Sequence, residues 1–247
     1  MIKMKPEFQN MKKSAAELIK RGGKPVLTAG LLYIIISLTL SLLSPELFGS
    51  GMTQAELERM LQLYESGSVY ELSDMLNRFL PTPRAYYINL AVSLFMMVLS
   101  AGYTIFLFNV KRGGKYELGN LFDAFAVFPR IIIIGILRTM LMSFGMSLFI
   151  IPGIAIAYMY SQAIYILLNH PEKSALQCMR ESRILMRGHK LERLSLDLSL
   201  LGWILLVAVP LVGYIIELWT LPYLGLVKIM YYDKLTGWQP VPKQIEE

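Results

Sequence analysis

Three charged residues interrupt long apolar stretches of the sequence: Arg138, Asp197 and Lys228. A charge placed in hydrocarbon costs roughly 3 kcal/mol on insertion scales, so such residues commonly pair with one another or bind a ligand. On ideal helices each lies about 9–11 Å inside its apolar stretch, so the three share one level. An Asp197–Lys228 pair would leave Arg138 to bind a lipid phosphate or a substrate anion. The plainer alternative is that Arg138 and Lys228 extend to the headgroups and that Asp197 lies at a fraying helix start.

A second group of candidate binding residues lies in the basic segment 172–190. At about 100° per residue, its cations fall on one arc of a helix: Lys173, Arg180, Arg183, Arg187 and Lys190. Small and apolar side chains fall on the opposite arc: Ala175, Cys178, Met179, Ser182, Leu185 and Met186. Such a helix is suited to anionic lipid headgroups or a phosphorylated ligand. The alternative is an ordinary loop helix that packs on its neighbours.

Residues that carry catalysis or bind metals form no recognisable motif. The sequence contains no G-x-S-x-G, H-E-x-x-H or Walker A pattern. The two histidines, His170 and His189, lie far apart without metal-ligand spacing, and the single cysteine, Cys178, excludes an intrachain disulfide. We therefore predict no catalytic residue, no cofactor and no metal, and we expect that the chain is not an enzyme.

Several apolar stretches of the sequence are long enough to cross a membrane. Hydrophobic residues make up 55% of the chain and charged residues 17%, against about 25% charged residues in ordinary soluble domains. Segments 25–45, 85–110 and 139–169 contain no Asp, Glu, Lys or Arg. Since a membrane-crossing helix needs about 20 apolar residues, the sequence predicts an all-α, polytopic transmembrane bundle.

Two stretches, one of which contains segment 139–169, are each long enough for two crossings. As one helix, segment 131–169 would extend about 58 Å, nearly twice the thickness of the hydrocarbon core. A tight turn at Ile151-Pro152-Gly153 would divide it, and a turn at 210–213 would divide segment 191–234. The sequence therefore predicts six membrane-crossing helices.

Amphipathic segments are predicted at the membrane surface. Segment 1–24 carries an apolar stripe, and its helix is predicted to end at Gly22-Gly23. The pattern of segment 46–84 predicts two short helices separated at 66–68. We expect a single membrane domain over 1–247, with an extracytoplasmic loop at 46–84. The N-terminal helix and a basic helix at 170–190 would lie in the cytoplasm.

The pentapeptide Lys-Arg-Gly-Gly-Lys occurs twice, at 20–24 and 111–115. Glycines among basic residues can cradle a phosphate. They also end helices beside an anchoring charge cluster, which is the interpretation that we favour.

Orientation follows from the distribution of Lys and Arg. Segment 1–24 carries seven, segment 109–130 four and segment 170–193 six, whereas segment 46–84 carries three among six acidic residues. Because basic loops remain in the cytoplasm, both termini are predicted to be cytoplasmic. The formal net charge of +6 then matches partners that are membrane lipids, anionic at the cytoplasmic face, and not nucleic acid.

Several short motifs resemble a bacterial membrane protein family catalogued as domain of unknown function 975. They include Ile151-Pro152-Gly153, the run Tyr160-Ser161-Gln162-Ala163, and Ser182-Arg183 followed by Gly188-His189-Lys190. The resemblance extends over nearly the whole chain. It implies a six-helix bundle in the bacterial cell membrane and no established activity.

The functional expectation is non-enzymatic binding or transport of an anionic or amphipathic, lipid-like substrate. The alternative is a membrane scaffold or accessory subunit of a larger complex. An intramembrane enzyme is a third hypothesis, which the missing catalytic motifs disfavour.

Overall fold

A computed structural model describes residues 6–43, 54–79, 83–207, 209 and 212–238. Within these residues every regular element is helical, which confirms the all-α prediction. The helices are α1 (Pro6–Leu43), α2 (Gln54–Glu65), α3 (Val69–Phe79), α4 (Pro83–Arg112), α5 (Asn120–Asp123), α6 (Phe128–Leu148), α7 (Ile150–Met159), α8 (Ala163–Asn169), α9 (Ala175–Leu185), α10 (Lys190–Val207) and α11 (Val212–Thr236), and a 3-10 helix spans Ala124–Val127.

The chain forms two compact units, Met1–Ile34 with Met97–Glu247, and Ile35–Met96. The second unit contains α2 and α3, which lie on either side of a turn at 66–68, where the sequence predicts the break. The first unit holds α5 to α11 and every candidate site residue. Residues 46–53 and 80–82 of the predicted loop, and Pro210-Leu211 of the predicted turn, lie outside the described residues.

Four helical segments are long and apolar enough to cross a membrane: Pro6–Leu40, Arg84–Arg112, Asn120–Leu148 and Ile150–Asn169. They confirm the membrane character of the chain. Helices α10 and α11, where the sequence predicts two further spans, are not among the four, and α10 carries four charged residues, at positions 190, 192, 193 and 197. The count of six membrane-crossing helices therefore stays a prediction.

Helices α6 and α7 form a tight hairpin whose turn lies at Phe149. This residue has extended backbone angles, φ −162° and ψ 154°, so the turn precedes the predicted position at 151–153. Pro152 lies within the first turn of α7, where its missing N–H leaves no hydrogen bond unmade. A Cβ on Gly145 would lie 3.0 Å from Gly153 Cα. The two glycines thus let the helix backbones touch.

Both Lys-Arg-Gly-Gly-Lys pentapeptides interrupt or end a helix. Gly23 has φ 58° and divides α1 into two segments. Gly113 has φ 69° directly after α4, and the Gly114 N–H donates to Asn109 O at 3.0 Å. The second copy is thus a glycine-terminated helix end, as favoured from the sequence.

Candidate functional site

A cavity of about 640 Å³ in the first unit brings together the three charged residues that interrupt apolar stretches of the sequence. Arg138 reaches it from α6, Asp197 from α10 and Lys228 from α11. The sequence predicted that these three residues share one level, and they line one cavity. A fourth charged residue, Arg193, joins them from α10.

Arg193 was not among the predicted site residues, because the sequence places it at the edge of the basic segment 170–193. In the structure it is 5% exposed. Its guanidinium lies 5.1 Å from the centre of the Tyr231 ring, a cation–π distance. Its spacing of four residues from Asp197 was the available signal, since residues at i and i+4 share a helix face.

Asp197 pairs with Arg193 of its own helix, at 3.4 Å between Asp197 Oδ2 and Arg193 Nε. Among the described residues, no ion pair joins Asp197 to Lys228, the partner considered from the sequence. The Arg193–Asp197 contact is longer than a hydrogen bond. Arg193 Nε and Nη1 are both buried without a hydrogen-bond partner. The structure therefore holds a buried guanidinium with most of its donors unused.

Positive charge exceeds negative charge in the cavity. Three cations, Arg138, Arg193 and Lys228, face the single carboxylate of Asp197. Within the described part of the chain, neither Arg138 nor Lys228 has an acidic group at ion-pair distance. Arg193 is close enough to both to interact electrostatically. Uncompensated buried charge is costly, so this arrangement is suited to an anion.

The remaining cavity wall is amphipathic. Hydroxyl groups line part of it, from Ser100, Thr104, Thr139, Tyr158, Ser161 and Tyr165. Apolar side chains line the rest: Met97, Ala101, Ile134, Met142, Ala157 and Ile164. A wall of this composition accommodates a ligand with a charged end and an apolar body.

A break between α7 and α8 contributes to the same wall. The helical run stops at Met159 and resumes at Ala163, and Ser161 faces the cavity. Ser182 of α9 compensates the break. Its hydroxyl donates to Met159 O at 2.9 Å and accepts from the Gln162 N–H at 3.1 Å. Interrupted helices at membrane depth are tolerated where protein or a cavity satisfies the freed backbone groups.

The predicted basic segment contains α9, which begins with a capping box formed by Ser174 and Gln177. Of the smaller and apolar arc, Ala175, Cys178, Met179, Ser182 and Met186 are buried, and Leu185 is partly buried. Of the basic arc, Arg180, Arg183 and Arg187 are exposed, whereas Lys173 and Lys190 are partly buried. These cations lie outside the cavity, so the candidate residues fall into two separate groups.

Two apolar side chains share the exposed side of α9 with its arginines. Leu176 is 68% and Ile184 59% exposed. On the buried side, burial raises the pKa of the Cys178 thiol to about 11. A thiol of this kind is protonated and inert at neutral pH.

A polar network links the N-terminal helix to α10 and α11. The Lys234 ammonium pairs with Glu7 of α1 and, at 2.5 Å, with Glu192 Oε1 of α10. Glu192 Oε2 lies 2.9 Å from His189 Nδ1. The His189 side chain is thereby engaged in a structural contact. No group of three His, Cys, Asp or Glu side chains in the described residues lies close enough to hold a metal ion.

Residues 146–239 match a family whose description is "Protein of unknown function (DUF975)". No curated protein and no solved structure matches the chain. The matched segment covers a little over a third of the chain and contains Arg193, Asp197 and Lys228, whereas Arg138 precedes it. The predicted resemblance of the chain to the DUF975 family is thus confirmed for residues 146–239.

Proposed function

We propose that the chain crosses the bacterial cell membrane six times, with both termini in the cytoplasm. The four long apolar helices supply four crossings, and α10 and α11 the other two. Helix α10 has 18 residues, which extend about 27 Å, close to the roughly 30 Å of a hydrocarbon core. Its charges do not oppose this assignment, because Arg193 and Asp197 line the cavity instead of facing lipid.

We propose that this protein binds or transports an anionic, amphipathic, lipid-like substrate without catalysing a reaction on it. The observation that carries the proposal is the excess of positive charge inside an amphipathic cavity. Arg138, Arg193 and Lys228 would hold the anionic end, and Asp197 would offset one of the three positive charges in the absence of a ligand. The apolar wall would hold the start of the hydrocarbon chain.

The exposed side of α9 supports a role for the membrane lipids themselves. Arg180, Arg183 and Arg187 would contact anionic headgroups at the cytoplasmic face, while Leu176 and Ile184 insert at the level of the acyl chains. Lys190, at the start of α10, would extend this basic surface. Each such cation contributes about 1 kcal/mol near an anionic surface. In this proposal α9 concentrates anionic lipid beside the bundle.

Native mass spectrometry of the full chain tests the proposal. The wild-type protein should retain an anionic lipid, and Arg138→Ala should lose most of it. Arg183→Ala should reduce non-specific lipid adducts without removing the retained one. Arg59→Ala, on the exposed surface of α2, serves as a matched control. Wild-type protein without bound lipid, or Arg138→Ala with undiminished retention, would refute the cavity as the binding site.

A scaffold role is the second candidate, and the second unit favours it. Three large side chains flank the turn between α2 and α3 with high exposure, Tyr64 at 74%, Val69 at 75% and Tyr70 at 85%. Exposed aromatic side chains are common anchors in protein interfaces. Photocrosslinking from position 70 should then capture one reproducible protein partner. Capture of lipid alone would leave the scaffold role without support.

A further inference from the structure

We infer that the cavity is selective for a phosphomonoester headgroup, and that Asp197 is the resident counter-ion which this headgroup replaces beside Arg193. The inference rests on the proposed function and names its substrate class. It follows from the charge balance of the cavity, the unused donors of Arg193 and the position of Asp197.

The charge balance selects the valence of the ligand. Three cations and one carboxylate leave the empty cavity with a formal charge of +2. A phosphomonoester carries between −1.5 and −2 charges at neutral pH. It therefore neutralises the cavity almost completely. A phosphodiester or a fatty-acid carboxylate, with one negative charge, leaves one cation uncompensated, and a zwitterionic headgroup leaves the full excess.

The unused donors of Arg193 select the shape of the ligand. A guanidinium presents a planar fork of N–H groups that matches two oxygens of a phosphate. Arg193 Nε and Nη1 make no hydrogen bond although the residue is 5% exposed. Arg138 and Lys228 reach the same space from α6 and α11. Three converging cationic groups match the three terminal oxygens of a phosphomonoester.

In the absence of a ligand, Asp197 is the counter-ion of Arg193. Its carboxylate lies 3.4 Å from Arg193 Nε, so the pair is held by attraction between charges without a hydrogen bond. Since Asp197 lies on the helix that carries Arg193, it remains near a bound phosphate and repels it. That repulsion grows with the charge of the ligand. Asp197 therefore weakens the binding of a phosphate ligand. Without a ligand, it provides the negative charge that compensates the Arg193 guanidinium.

Equilibrium binding to the purified full chain in detergent tests the inference. The probes are dioctanoyl phosphatidic acid, dioctanoyl phosphatidylglycerol, dioctanoyl phosphatidylcholine and inorganic phosphate. The variants are Asp197→Asn, Arg193→Gln and Arg193→Lys, with Glu65→Gln and Arg59→Gln as controls on the exposed surface of α2. Gel filtration and thermal melting of each variant establish that it is folded.

The wild-type protein should bind phosphatidic acid about tenfold more tightly than phosphatidylglycerol, because one additional charge interacts with the cations. Asp197→Asn should raise the affinity for phosphatidic acid about tenfold and that for phosphatidylglycerol about threefold, since the relief scales with ligand charge. Arg193→Gln should lower the two affinities by the same factors. Arg193→Lys keeps the charge and should retain most of the binding. Both α2 controls should bind like the wild type.

The outcomes separate the two claims. Equal affinity for both anionic lipids, with equal effects of each variant on them, would overturn the phosphomonoester inference and leave the proposed function intact. If the folded wild-type protein binds none of the lipids, the proposed function itself would be overturned. If inorganic phosphate binds as tightly as phosphatidic acid, the result would support selectivity for a phosphate dianion. It would identify the ligand as the free phosphate ion and not a lipid headgroup.

Discussion

Arg193 and Asp197 lie one helical turn apart on α10 and face each other at 3.4 Å inside the cavity. The arginine is almost fully buried, whereas the Asp197 side chain retains 29% exposure. The pair is thus buried at its cationic end and open at its anionic end. This asymmetry makes the arginine depend on a counter-ion, whether that is Asp197 or a ligand.

Removal of Asp197 should destabilise the empty protein. Asp197→Asn leaves the Arg193 guanidinium buried without a charge partner, at a cost of about 1–3 kcal/mol after allowance for the exposed carboxylate. Melting without ligand should therefore occur at a lower temperature than for the wild type. Added phosphatidic acid should raise the melting temperature of the variant more than that of the wild type. An unchanged melting temperature in both conditions would show that the pair carries no stability.

The hydroxyl of Ser182 should be essential to the break between α7 and α8. Ser182→Ala leaves Met159 O and the Gln162 N–H without their partner. Loss of one buried and one partly buried hydrogen bond of the backbone costs about 2–4 kcal/mol. Ser73→Ala is a matched control, since the Ser73 hydroxyl donates to Tyr70 O on an exposed helix. Equal melting temperatures for the two variants would refute this role.

Close packing of α6 on α7 should tolerate no side chain at Gly153. A Cβ there would lie 2.9 Å from Met146 N, a backbone atom. Gly153→Ala should therefore destabilise the protein by about 1–3 kcal/mol. Gly202→Ala is the control, because nothing lies within 4 Å of a Cβ at that position, and alanine favours a helix by up to about 1 kcal/mol. Similar thermal stability in both variants would argue against the hairpin contact.

Cys178 should resist thiol reagents in the folded protein. Its thiol is buried and its pKa is raised to about 11, so little thiolate forms below pH 9. Maleimide labelling should be slow at pH 7.5 and faster as the pH rises. The matched control is Glu172→Cys in a Cys178→Ser background, since the side chain at position 172 is exposed just before α9. This control cysteine should label rapidly, and in the proposed orientation it should label from the cytoplasmic side of sealed vesicles. Rapid labelling of native Cys178 would contradict its burial.

Much of the fold was predictable from the sequence because hydrophobic length and charge are local properties. Apolar runs predicted the four long helices, and the cost of charge in hydrocarbon directed attention to Arg138, Asp197 and Lys228. All three line one cavity. Helical periodicity also predicted which side of the segment around Cys178 is buried.

Other features depend on tertiary contacts that no local pattern encodes. The break after Met159 contains neither glycine nor proline, and its compensation comes from Ser182 in another helix. The hairpin turns at Phe149, and not at Pro152, because the Gly145–Gly153 contact fixes where the helices meet. Arg193 was assigned to a basic loop because a cation near a helix start resembles a surface residue until its neighbours are known.

Photocrosslinking tests whether the cavity binds an anionic lipid. A benzophenone side chain at Thr139 would project into the cavity, whereas one at Ile136 would lie on the exposed side of the same helix. With phosphatidic acid that carries a radioactive phosphorus atom, we expect in vesicles a saturable crosslink at position 139 that excess unlabelled phosphatidic acid abolishes and that Arg138→Ala weakens. At position 136 crosslinking should not saturate and should not depend on the headgroup. Equal, non-saturable crosslinking at both positions would contradict an anion-binding cavity.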